Sequence, residues 1–144
     1  MFVLLEHDTT QAAGVPPAER AVHWDLLIEA AGCERLRTWR LAANPLQTAG
    51  DIPARPLPDH RRAYLDFEGA VSGERGHVRR LARGAAAIEE FTPARTVFTL
   101  DSPLLRGRYE IVGETADSGS LRCLSHSGAS GGGPGGCPGG RTQT

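Results

Sequence analysis

The chain reads as mostly β: a small closed or partly open β-barrel with little helix and a disordered C-terminal tail. Short segments with apolar residues at every second position recur along it, turn residues bound each one, and no long amphipathic helix interrupts them. A length of 144 residues gives a single domain, expected over 1–126, with the tail over 127–144.

"FVLLEHD" (2–8) is the first expected strand, and "QAAGVPPAER" (11–20) is a Gly/Pro-bearing loop. In "AVHWDLLIE" (21–29), Val22, Trp24, Leu26 and Ile28 alternate with His23, Asp25, Leu27 and Glu29, so one face is apolar and the other unusually rich in titratable groups. The chain turns at "AAGCE" into a third strand, "RLRTWRLA" (35–42). "NPLQTAGDIPARPLP" (44–58) holds too many prolines for a central strand or a regular helix. It is expected to wrap over the surface and deliver "DHRRAYLDFEG" (59–69). "GHVRRLARG", "RTVFTLDS", "GRYEIVGE" and "SLRCLSH" are further short strands, and Gly84 within "GHVRRLARGAAAIEEF" predicts a hairpin there. "SGASGGGPGGCPGGRTQT" (127–144) cannot bury enough apolar surface to offset its ordering entropy.

A net charge of −1 exerts no global pull toward nucleic acid or acidic membranes. Every cationic side chain is Arg, the residue that grips phosphate bidentately and stacks on bases. Coding bias toward GC-rich codons, which also favours Ala, Gly and Pro, accounts for the same fact. Cys33, Cys123 and Cys137 are scattered without a C-x-x-C pair, which predicts neither a disulfide framework nor a structural zinc site. "MFVLLEHD" has no basic n-region, and no run approaches the ~20 apolar residues that cross a bilayer. The expectation is a soluble, cytoplasmic protein with no membrane partner.

Two clusters carry the candidate chemistry. His23 and Asp25 share a sheet face, and His7 closes the preceding strand; if the two strands pair, His7 approaches them. Two imidazoles and a carboxylate form a mixed N/O donor set suited to Mn, Fe or Zn, with positions left open for water and substrate. The alternative is ordinary surface polarity. In the second cluster, His60, Arg62 and Tyr64 share one side of an extended segment, with Arg61 opposite, which suits a phosphate oxygen. The alternative there is an exposed basic turn anchored by an aromatic.

Taken in order, "FVLLEHD", "HWDLLIE", "LRTWRLA", "DHRRAYLDFEG" and "FTLDSPLLRGRYEIV" resemble the 3′-phosphoesterase domain of bacterial DNA ligase D, over roughly residues 2–113. The resemblance implies a small β-barrel enzyme that uses Mn²⁺, or another divalent transition metal, to remove 3′-phosphates and 3′-terminal ribonucleosides. It implies metal ligands at His7, His23 and Asp25, and phosphate-contacting catalytic residues at His60 and Tyr64. Its implied partners are DNA or RNA-terminated DNA 3′ ends, and a DNA ligase or polymerase. Where the family commonly has an Arg two residues after the metal-binding Asp, this chain has Leu27, and the family's N-terminal arm has no counterpart before Met1. Arg40 and Arg62 are the expected phosphate-binding replacements for the guanidinium. The alternative class is a non-catalytic module that binds nucleic-acid ends or a repair partner; a third reading is a phosphohydrolase of small phosphate esters.

Overall fold

Period-two alternation sorts the first two strands as expected. Phe2, Leu4, Leu26 and Ile28 turn into one buried cluster, while Val3, Leu5 and Leu27 turn the other way into a second, smaller one. The computed structural model describes residues 1–32, 34–48 and 50–125; residue 126 and the tail expected over 127–144 lie outside the described residues.

The strands are β1 (Phe2–Asp8), β2 (Val22–Glu29), β3 (Arg35–Leu41), β4 (Ile52–Arg61), β5 (Gly69–Ala70), β6 (His77–Phe91), β7 (Arg95–Asp101), β8 (Arg106–Thr115) and β9 (Ser118–Ser125). Among the described residues, helix is confined to two 3-10 turns, Pro17–Glu19 and Arg62–Leu65. Neighbours run β1-β2-β3-β4-β9-β8-β7-β6, and β1 pairs with β6, so eight antiparallel strands close into a barrel with the short β5 appended to β6. Closure removes the unpaired edges that an open sheet would present. Inside, Trp39 and Tyr109 stack on either side of Phe98, with ring centroids 6.2 and 5.9 Å away. Leu41, Ile111 and Leu121 fill in around them.

Two sequence expectations are corrected. The Pro-rich stretch does not merely wrap the surface: its second half is β4, a wall strand paired with β3 from Ala54 to Arg61 and with β9 from Ile52 to Ala54. Pro56 and Pro58 are tolerated here because pairing with β9 ends at Ala54, whereas Pro53 lies opposite Ser120 and accepts from the Ala42 N–H. Gly84 likewise does not make a hairpin. β6 is one continuous strand of 15 residues, and Gly84 is the point where it passes from β1 (Phe2↔Gly84) to β7 (Ala85↔Asp101). A Cβ at Gly84 would lie 2.2 Å from the Asp101 carbonyl oxygen, so the crossing requires glycine. Cys123 on β9 is disulfide-bonded, a cross-link that the cysteine spacing did not announce. Among the described residues, no helix is long and apolar enough to cross a membrane.

The core holds a polar anomaly beside Phe98. The Tyr109 hydroxyl is buried with no hydrogen-bond partner among the described residues, and burial pushes its pKa up to about 12. The fold therefore favours the neutral phenol. An unfolded chain ionises near the ordinary value of 10.0, so stability falls as pH rises through the interval between those values. Tyr109→Phe removes an unpartnered O–H and is expected to stabilise the protein by about 1 kcal/mol. It is also expected to flatten the alkaline decline. Urea melts at neutral and strongly alkaline pH check both; a variant less stable than wild type at neutral pH contradicts this account.

Candidate metal and phosphate site

Antiparallel pairing of β1 and β2 sets His7 directly opposite His23, and their rings meet edge to face with centroids 6.4 Å apart. Two residues along, Asp25 lies opposite Leu5 on one side and Arg40 of β3 on the other. Arg40 grips its carboxylate bidentately, Nε donating to Oδ1 at 2.9 Å and the second guanidinium nitrogen donating to Oδ2 at 3.1 Å. The pairing is needed because Asp25 is only 4% exposed, and a carboxylate so buried is tolerated only when partnered.

The two imidazoles are prepared differently. His7 Nε2 lies 2.8 Å from the Arg75 carbonyl oxygen. A carbonyl can only accept, so Nε2 carries the proton and Nδ1 of the neutral ring is left with a lone pair. His23 Nδ1 is buried with no partner among the described residues. Burial first, and the Arg40 charge second, lower its pKa and keep the ring neutral.

Among the described residues, no three His, Cys, Asp or Glu side chains are gathered closely enough to hold a metal ion as they stand. The donor chemistry nevertheless fits one. His23 presents a buried nitrogen that nothing else satisfies. His7 donates its other ring N–H to a backbone carbonyl, and Asp25 is hydrogen-bonded by Arg40; these are the outer supports that ligating imidazoles and carboxylates commonly have.

The second cluster forms, but in another place and by another geometry than extended alternation implies. β4 ends at Arg61, and the chain tightens into the Arg62–Leu65 turn. Across this junction His60 and Tyr64 meet edge to face at 5.2 Å, and the Arg61 guanidinium lies over the Tyr64 ring, 6.0 Å from its centroid. Arg62 leaves the group and forms an ion pair with Glu29, holding that carboxyl below its ordinary range. His60 lies opposite Leu36, which lies opposite Glu29. The His60 row is thus four residues along β2 from Asp25, a spacing of about 13 Å. Arg40 stands at the Asp25 cluster and Arg62 does not.

Between the clusters lies Leu27, fully buried with Val3, Leu5, Leu36 and Leu65, with Tyr64 packed against them. Leu27 is thus part of a small second core. That core fastens the Arg62–Leu65 turn to the outer face of the barrel.

One cation at this site escaped the sequence reading. Arg55 of β4 is opposite Arg40 and shares its face. Treating 44–58 as a surface wrap hid it, whereas strand alternation across Ala54 (buried) and Arg55 (exposed) places it. No protein-family model matches the chain, and no curated protein does.

Leu27→Ala is expected to destabilise the fold by about 2–5 kcal/mol through the cavity it leaves. Leu27→Arg is expected to destabilise it by at least as much, because a guanidinium is forced into an apolar cluster without a partner. Equilibrium unfolding checks both. A Leu27→Arg protein as stable as wild type would show that Leu27 is not a structural residue.

Proposed function

We propose that the chain is a metal-dependent phosphoesterase acting on nucleic-acid 3′ ends, removing a 3′-phosphate or 3′-terminal ribonucleoside. The observation that carries this reading is the facing pair His7 and His23, with the orphaned His23 Nδ1, beside an Arg40-braced Asp25. These three side chains would hold Mn²⁺ or another divalent transition metal, which when bound would supply charge to polarise the scissile phosphate and activate a water. Arg40 holds Asp25 in one orientation through its two hydrogen bonds. His60 and Tyr64 offer an imidazole and a phenol to phosphoryl oxygens farther along the same face, where a nucleic-acid strand rather than a small ester can span both clusters. Arg62 serves the Glu29 end of that face. The partners this reading implies are DNA or RNA-terminated DNA 3′ ends, handed on to a ligase or polymerase.

The apolar ridge at Leu27 between the clusters favours a second reading: a non-catalytic module that holds nucleic-acid ends. The two separate in one assay. The protein is incubated with Mn²⁺ and DNA primers ending in a 3′-phosphate or a single 3′-ribonucleotide, and the primer end is analysed. The expected product is a 3′-hydroxyl end, with all conversion lost on chelation. DNA that binds but keeps its original 3′ end supports the module instead.

His23→Ala is expected to reduce turnover by more than the roughly 10–100-fold that removing an outer support of a metal ligand costs. Arg40→Ala is expected to fall within that range and to weaken Mn²⁺ binding in an isothermal titration. Undiminished turnover in His23→Ala sinks the metal-site assignment.

A further inference from the structure

The chain has 16 basic side chains, all arginine, and 15 of them lie among the described residues. Most are held by a carboxylate, as Arg40 is by Asp25. Others donate to backbone carbonyls, as Arg20 does to Val15, or lie over a ring, as Arg61 does. Arg55 alone among the described arginines makes no hydrogen bond, ion pair or ring contact, and its side chain is exposed.

Its position gives that isolation a meaning. Arg55 and Arg40 face each other across adjacent strands, an arrangement that is unfavourable for like charges unless something offsets it. Asp25 offsets one of the two guanidiniums and leaves the other uncompensated. Pairing with β9 ends at Ala54, so Arg55 lies just past the end of that ladder. Pro53 and Pro56 restrict the backbone on either side.

We propose that Arg55 contacts a backbone phosphate of the nucleic-acid strand whose 3′ end enters the His7–His23–Asp25 site. The inference rests on the phosphoesterase reading for the placement of that end, but it is read out by binding alone. The residue is a phosphate-contacting one and takes no part in bond cleavage. Its guanidinium completes a row, Asp25–Arg40–Arg55, in which the first two members neutralise each other and the third recruits the anion.

The test is fluorescence anisotropy of a labelled duplex, in 3′-phosphate and 3′-hydroxyl forms, across a salt series, with cleavage followed separately on the same DNA. Arg55→Ala is expected to weaken binding about 5–10-fold at low salt and to reduce the salt slope by about 0.9, the loss of one phosphate contact. Arg55→Lys is expected to restore the slope, and Arg55→Glu to weaken binding further. Melting temperatures in Arg55→Ala are expected to stay at or slightly above the wild-type value, because the side chain makes no hydrogen bond or ion pair and faces the like-charged Arg40. An unchanged slope in Arg55→Ala, or a loss confined to the 3′-phosphate form, overturns the proposal; so does wild-type protein that does not bind the duplex. Binding that depends on Arg55 without any cleavage sustains it and rejects the enzymatic reading instead.

Discussion

Pairing of β1 on both sides is the constraint from which the rest follows. It hydrogen-bonds to β2 along one edge and to the first half of β6 along the other, and this second seam turns a sheet into a barrel. The seam is possible only because β6 is long enough to serve two neighbours in succession, and because Gly84 lets the Asp101 carbonyl approach where the exchange occurs. With β1 fixed from both sides, its register against β2 cannot slip by one residue without turning Phe2 and Leu4 out of the core. The same register sets His7 against His23. The candidate site is thus held by the alternation that builds the barrel wall, and no loop has to be ordered to bring those two rings together.

Electrostatics on the outer face follow from burial. Asp25 sits low enough on the wall to require a partner, and the cross-strand position supplies Arg40. That guanidinium in turn adds to the burial that keeps His23 neutral, so one ion pair prepares both the carboxylate and the imidazole beside it. Farther along the same face, Leu27 and its neighbours form a dry patch that pins the Arg62–Leu65 turn. Tyr64 is anchored by that patch, and His60 leans on Tyr64. The patch therefore holds the second cluster in place and also keeps it away from the first.

What could be read from residues alone divides along physical lines. "FVLLEHD" and "VHWDLLIE" were legible because their alternation is uninterrupted and their faces differ sharply. β4 was not, because proline count is a local signal, and whether a proline costs a ladder hydrogen bond depends on where the neighbouring strand stops. Gly84 looked like a turn because glycine marks both turns and close backbone approaches, and only the partner strand distinguishes them. His60 and Tyr64 were paired correctly although their extended alternation was not, since the 3-10 turn that joins them begins just after Arg61. Arg62, placed by that alternation with His60, is drawn off by Glu29, a residue 33 positions earlier in the chain.

The β character, the apolar lining of β1 and β2, and the approach of His7 to the His23–Asp25 face follow from local pattern. All three are consequences of a two-residue repeat and of neighbouring strands joined by one loop. That Asp25 is clasped by Arg40, that Leu27 belongs to a second core, and that the Arg55 guanidinium makes no hydrogen bond or ion pair emerge only in the folded barrel. Each of these depends on which residue lies opposite on the next strand, and cross-strand register in a closed barrel is set by the packing of all eight strands together.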